Sequence, residues 1–266
     1  EKLLSRMRVT ALQLLPLLCS ALRLPAPSSR VHGRRSVLAG GLAAAVAPHP
    51  LIPAAAAAEA PVKLYFGAGC FWHVQHEFVL EEVASLDRKG EAITAVAGYA
   101  GGKRLGSGDR VCYHNFGGVA DYGALGHAEA VEVTIPTSAV SGFARKYFSL
   151  FGSRGFRHDP QDSGGEYRSV IGIPGGTRSP LYASIEEAAA ASPMKLLPGV
   201  GDEPDTLGAK AVLVYDSDVF PFHRGELYHQ FHNDFMGPPY GAAYNKLQGQ
   251  LAAAGRLSTT GCPERS

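Results

Sequence analysis

The sequence predicts an α+β domain of split βαβ type, a two-layer sandwich, and three observations carry that expectation. Short apolar runs of strand character alternate with runs of helical period. The first six such runs come in the order β-α-β-β-α-β, the arrangement of ferredoxin-like α+β domains. Glycine-rich turns separate them.

The elements follow in chain order. Residues 62–66 read as a strand, and 71–86 as a helix with Val74, Phe78, Val79, Val83 and Leu86 at helical spacing. Residues 93–97 form the next strand, ending in the turn Gly98-Tyr99-Ala100-Gly101-Gly102. A polar, glycine-rich stretch to Leu125 is too long for a simple connector. The strand 128–135 and the helix 138–151 come next, the latter with Val140, Phe143, Tyr147 and Leu150 periodic. A glycine-rich loop, 156–165, leads into the strand 167–173. Ser179 reads as an N-cap with Pro180 at the first helical position. A strand at 211–215, helices around Glu226 and Tyr244, and a loose tail beyond Gly255 complete the expectation, with extra C-terminal helices and loops beyond the sandwich.

The chain has 266 residues and 45% hydrophobic content, ordinary for a globular protein. Its first 58 residues differ from the rest. They carry Lys2, Arg6, Arg8, Arg23, Arg30, Arg34 and Arg35 against Glu1 alone, the arginine-rich, acid-poor composition of an organelle transit peptide. Arg34-Arg35 then precedes an apolar run from Val37 to Ala47 and an alanine-rich exit, which resembles a twin-arginine signal. The run is too short to span a bilayer, so stable membrane insertion is not expected. A plastid destination, with the thylakoid lumen as a second step, follows. Three domains result: the leader 1–58, a body 59–250 and a flexible tail 251–266. The leader takes +6 of charge, leaving the remainder at −5, with no basic stripe to bind nucleic acid.

Cys70 lies in Gly67-Ala68-Gly69-Cys70-Phe71-Trp72, between a strand and a helix. A cysteine at a helix N-terminus meets unpaired N–H groups and the positive end of the helix dipole, which favour the nucleophilic thiolate. Besides Cys19 in the leader, Cys112 and Cys262 are the other cysteines, a set too sparse for a disulfide scaffold. In the strand 128–135, Glu129 shares a face with Val131, Val133 and Ile135. A carboxyl on that apolar face has a raised pKa and serves as a general acid; solvation at the strand end is the other reading. Two more polar clusters stand out. Asp162-Ser163-Gly164-Gly165-Glu166-Tyr167-Arg168-Ser169 offers a close backbone approach and a hydroxyl, or is a structural turn. Glu226-Leu227-Tyr228-His229-Gln230 is a helix surface, a support for a site, or half of a metal site.

Together these stretches resemble the peptide-methionine (S)-S-oxide reductase family, MsrA. The resemblance rests on Gly69-Cys70-Phe71-Trp72, Gly98-Tyr99-Ala100-Gly101-Gly102, Gly126-His127-Ala128-Glu129-Ala130-Val131, Asp162 with Tyr167-Arg168-Ser169, and Glu226 with Tyr228-His229-Gln230, in the family's order. It implies Cys70 as nucleophile, Phe71 and Trp72 as the pocket for the substrate's S-methyl group, and Glu129 as the acid. Tyr167 and Asp162 fall where the family binds the sulfoxide oxygen and orders the site. The implied chemistry is thiolate attack on a sulfoxide sulfur, leaving a Cys70 sulfenic acid that a second thiol converts to a disulfide. A thioredoxin-like reductant reopens it, with no bound cofactor or metal, and the substrate is methionine sulfoxide, free or in proteins.

The chain departs from the family at several points. His73 replaces a glycine, Gly108 stands where a site tyrosine is expected, and Glu166 replaces a glutamine. Tyr113 or Tyr122 takes the missing tyrosine's place. Cys262 in the tail is the expected resolving thiol, since a loose tail can bring its sulfur to Cys70; Cys112 is the second candidate for that role, but reads first as a small buried residue. Direct reduction by an external thiol is the other route. Two rivals differ in class. One is a family member that binds methionine-rich partners without turnover. The other is a metal-binding protein using Cys70, His73 and His76, with His229 and His232 at the same spacing.

Overall fold

The computed structural model describes residues 59–264; the expected leader lies outside the described residues. Alternation along Pro61–Gly67 (β1) turns Leu64 and Phe66 to one side and Tyr65 to the other. Both sides are buried, so β1 runs through the middle of a sheet. It pairs antiparallel with Ala128–Pro136 (β3), Tyr65 opposite Glu132, and antiparallel with Val170–Ile173 (β4), Tyr65 opposite Gly172. Val96–Ala100 (β2) lies antiparallel on the far side of β3, with Tyr99 opposite Glu129. Two parallel strands extend the β4 edge: Ala211–Asp216 (β6) on β4, then Lys195–Pro198 (β5) on β6. His223–Arg224 (β7) pairs with β2, giving the order β5-β6-β4-β1-β3-β2-β7.

The helices Phe71–Leu86 (α1), Val140–Ser149 (α2) and Tyr182–Ala189 (α3) share one core with one face of this sheet. Val74 and Phe78 of α1, Phe143 and Tyr147 of α2 and Ile185 of α3 meet Phe66, Val131, Val133 and Ile171 there. Phe66 stacks on Phe78 with ring centroids 4.6 Å apart. Each such fully buried side chain contributes about 1.5–3 kcal/mol. On the opposite face Tyr65, Ala130, Val170 and Tyr215 pack beneath Phe220 and Phe222. The protein is thus a mixed α/β structure. Ala242–Asn245 (α4) and Leu247–Ala253 (α5) lead into the tail.

Several local expectations change. Gly98 and Tyr99 belong to β2 rather than to a turn, because they pair with both β3 and β7. A Cβ at Gly98 would lie 2.2 Å from the His223 carbonyl oxygen, so glycine is what lets β7 approach. Residues 165–167 form a single 3₁₀ turn, and β4 starts only at Val170. The cause is Arg168, which is buried and donates to the carbonyls of Gly101, Gly126 and Gly165 and to Tyr215 Oη. Near Glu226 there is only the 3₁₀ turn Leu227–His229, not a helix.

The segment after Gly255, expected to be loose, is tied down. Arg224 donates to the carbonyls of Arg256 and Ser258, Glu264 accepts the N–H of Leu227 and Tyr228, and Leu257 is buried. Cys262 is bonded to Cys112.

Candidate active site

The turn out of β1 requires a glycine before the cysteine. Gly69 has φ +81°, and a Cβ there would meet Asp162 Oδ2 at 2.5 Å. Cys70 follows as the N-cap of α1. Two N–H groups at this helix end go to carboxyls from distant parts of the chain. Cys70 N–H donates to Asp162 Oδ2 at 2.7 Å, and Phe71 N–H donates to Glu129 Oε2 at 2.8 Å. Glu129 comes from β3 and is 2% exposed, and Tyr122 O–H donates to its Oε1 at 3.4 Å.

Burial raises the Glu129 carboxyl to about 8, overriding the Phe71 N–H that favours the anion. The group therefore holds a proton at neutral pH. Cys70 moves the same way. Burial pushes its thiol up, and the charges of Glu129 and Asp162 add to this, against the lowering effect of the Trp72 and His73 N–H groups. The expectation of a resting thiolate is corrected here: a helix end offers only modest stabilisation, and desolvation exceeds it. The contribution from Glu129 applies only when it is ionised, so burial dominates near neutrality. Tyr167 is likewise pushed up, first by burial and then by Glu129, and remains a hydroxyl donor.

These groups open onto a small cavity of about 80 Å³ that Cys70, Trp72, Tyr113, Glu129 and Tyr167 line. Phe235 stands edge-on to Trp72 with centroids 5.2 Å apart, and His232 stacks on its indole at 4.2 Å. The result is a small slot that joins the Cys70 thiol, the Glu129 carboxyl and the phenols of Tyr113 and Tyr167 to the aromatic faces of Phe71, Trp72 and Phe235. A larger groove of about 560 Å³, between Leu80 and Tyr244, has neither a thiol nor a carboxyl in its lining.

Residues 62–192 match the family model for peptide methionine sulfoxide reductase. The peptide methionine sulfoxide reductase MsrA of Geobacter sulfurreducens is 35% identical over 112 residues, 41% of this chain and 59% of that relative. The chain thus spans about three fifths of that relative's length. The peptide methionine sulfoxide reductase MsrA of Methanosarcina mazei is 32% identical over 178 residues, covering 63% of this chain and 67% of that relative. The chain belongs to the peptide methionine sulfoxide reductase family. A solved structure, methionine sulfoxide reductase A of Corynebacterium diphtheriae, is similar at a TM-score of 0.40 and 20% identity, covering 64% of this chain and 72% of that one.

Of the site residues read from sequence, Cys70, Phe71, Trp72, Tyr113, Glu129, Asp162 and Tyr167 all line the one cavity. Tyr122 does not; it is fully buried behind Glu129. Of the two candidate tyrosines, Tyr113 is the one that lines the cavity, beside Tyr167. Glu226 places it, accepting Tyr113 N–H at 2.8 Å and Tyr99 O–H at 2.7 Å. Glu166 turns to His114, 3.0 Å away, and does not line the cavity.

Cys262 and Cys112 are corrected together. Neither lines the cavity, and their sulfurs are bonded to each other with Cα atoms 5.6 Å apart, so Cys112 is not merely a small buried residue and Cys262 is not a free thiol. Cys70 is the free cysteine among the described residues. His73 and His76 do not converge with Cys70, since His73 stacks on His158 and His76 on Tyr240. Sequence reading missed His158, Asp234, Phe235 and Met236, all of which line the cavity. They sit in loops without periodicity; the only cue was an exposed Phe235-Met236 pair before Gly237-Pro238.

Proposed function

We propose that this protein reduces methionine-S-sulfoxide, free or within proteins, through Cys70. The observation that carries this reading is the buried Glu129 carboxyl in the same small cavity as the free thiol of Cys70, where burial favours its protonated form. A sulfoxide needs that pair: a soft nucleophile for its sulfur and a proton for its oxygen.

The methyl group enters beside Trp72 and Phe71, and Tyr113 and Tyr167 direct hydroxyls toward the sulfoxide oxygen. As the Cys70 sulfur attacks, Glu129 gives its proton to that oxygen and recovers the thiol proton. The new bond between Cys70 Sγ and the substrate sulfur then breaks together with the substrate's sulfur–oxygen bond as the hydroxyl passes to Cys70 Sγ, so methionine leaves and Cys70 holds a sulfenic acid. The thiol is oxidised by two electrons and the sulfoxide reduced by two. Asp162 acts through the backbone of Cys70, fixing the turn that presents the sulfur.

Recycling uses the Cys112–Cys262 pair. Once that bond is reduced, the Cys262 thiol condenses with the sulfenic acid, releasing water and forming a disulfide with Cys70. Attack by Cys112 on Cys262 frees Cys70 and restores the Cys112–Cys262 bond, which a thioredoxin-like dithiol then reopens. This scheme uses no bound cofactor. The antiparallel order β4-β1-β3-β2 supports reading the core as a ferredoxin-like split βαβ sandwich. The leader composition supports delivery to a plastid.

The test is reduction of both sulfoxide epimers, free and peptide-bound, by the full chain with dithiol present and with Cys70→Ser alongside. Turnover of the S epimer alone, lost in Cys70→Ser, is expected. Absence of S-epimer turnover would remove the proposal.

A further inference from the structure

His114 follows Tyr113 of the cavity, and its two ring nitrogens face carboxyl oxygens from two different segments. Nδ1 is 2.7 Å from Asp121 Oδ2, and Nε2 is 3.0 Å from Glu166 Oε2. Asp121 belongs to the same loop as His114. Cys112 N–H donates to the Ala120 carbonyl and Tyr122 N–H to the Cys112 carbonyl, both at 2.8 Å, so the two ends of that loop are already paired. Glu166 belongs instead to the 3₁₀ turn Gly165–Tyr167. The contact to Asp121 therefore fixes the ring on its own loop, and the contact to Glu166 ties that loop to the turn. Each end of the tie is next in sequence to a phenol of the cavity, Tyr113 on one side and Tyr167 on the other.

The surroundings are shaped for this contact. A Cβ on Gly123 would stand 1.9 Å from Glu166 Oε1, so a glycine is what lets the Glu166 carboxyl lie against the loop. Asp121 is held in turn by Ala124 N–H, which donates to its Oδ1 at 3.0 Å. A neutral imidazole has one N–H and one lone pair, so it can donate to only one of these carboxyls and turns a lone pair toward the other. Both contacts are hydrogen bonds only in the imidazolium. Burial opposes that charge, but the bond to Asp121 and the field of Glu166 outweigh it and raise His114 above its ordinary 6.5. The rings of Tyr113 and Tyr122 pack against the imidazole with centroids 5.3 and 4.8 Å away, and His229 and Glu264 share the groove onto which it opens.

We propose that His114 is a positioning residue of the site, bridging Asp121 and Glu166 so that the loop bearing Tyr113 is clasped to the turn bearing Tyr167. His114 itself lies outside the cavity lining; it sets the separation of the two hydroxyls that face the sulfoxide oxygen. Glu166, which stands where the family has glutamine, supplies the charge that the clasp uses. The role rests on the reading of the cavity as a methionine sulfoxide site. As pH rises through the His114 value, one N–H is lost, one contact opens, and the sulfoxide binds more weakly.

The test separates binding from turnover. Cys70→Ser removes the nucleophile, and Trp72, the single tryptophan of the chain, reports occupancy of the cavity by its fluorescence. The full Cys70→Ser chain is titrated with methionine-S-sulfoxide between about pH 5 and 8. Its Kd should rise roughly two- to fivefold, the range for a half-exposed ion pair. With His114→Ala added, Kd should stay at the weaker value throughout, and Glu166→Gln should remove most of the pH dependence. Imidazole NMR of the parent, with the His114 signal assigned by its loss in His114→Ala, should show titration above 6.5 that moves down in Glu166→Gln and in Asp121→Asn. A His114 titration at or below 6.5 would overturn the proposal. So would a Kd that does not change with pH, or a pH dependence that survives His114→Ala. A raised His114 titration with no sulfoxide binding at any pH would instead sink the reductase reading, and the positioning role with it.

Discussion

Glu129 Oε2 accepts the N–H of Phe71 at 2.8 Å, joining a buried carboxyl on β3 to the residue that follows the nucleophile. Asp162 does the same for Cys70 from the other side. The helix end that would otherwise favour a thiolate is therefore engaged by two carboxyls, and burial keeps protons on both the Cys70 thiol and Glu129. The resting site is stored with a neutral thiol and a neutral acid.

Glu129 links folding to pH. Its carboxyl is raised from an ordinary 4.5 to about 8 in the folded chain, so between these values the folded state binds more protons than the unfolded one. The stability it contributes is fully present below the lower value and is lost as pH rises through about 8. Tm should fall across that window, and Glu129→Gln should flatten the fall. Thermal melts of both proteins from mildly acidic to mildly alkaline buffer check this.

The Cys112–Cys262 bond closes a loop across a sequence separation of 150 residues. Such a cross-link contributes about 2–4 kcal/mol. Cys112→Ser and Cys262→Ser should each destabilise by about that amount, and the double variant by no more than either single one. Urea unfolding of the three proteins, before and after reduction, measures it.

Arg168 is the largest fully buried charged side chain, and it satisfies three carbonyls and Tyr215 Oη at once. Arg168→Ala removes the guanidinium and strands its acceptors, at about 3–5 kcal/mol. Arg168→Lys should recover little of it, because an ammonium cannot reach carbonyls of Gly101, Gly126 and Gly165 with one fork. Denaturation midpoints of the two variants compare directly.

The parts of this site that sequence carries are local. Gly69-Cys70 between a strand and a helical run places the sulfur at the helix start, and strand parity puts Glu129 on the buried face. Tertiary facts are different in kind. Whether burial outweighs the helix end at Cys70 depends on Glu129 and Asp162, 59 and 92 residues further along the chain. The pairing of Cys112 with Cys262 is not encoded in spacing, and the tail looked loose because its anchors, Arg110, Arg224 and Leu227, lie far upstream. The choice between Tyr113 and Tyr122 needed the bond from Glu226, a residue more than a hundred positions away. His158 and Asp234 sit in loops, where residue type gives no direction.

The most direct test of Glu129 as the proton donor is the pH profile of kcat for methionine-S-sulfoxide, with the parent protein and Glu129→Gln compared. The glutamine keeps an acceptor for Phe71 N–H, so the cavity survives while its proton is lost. The parent rate should hold below about pH 8 and fall tenfold per pH unit above it, as the carboxyl ionises. Glu129→Gln should be slower by about 10²–10⁴-fold and lack that alkaline limb. A glutamine variant with the parent rate and the same alkaline limb would contradict the assignment.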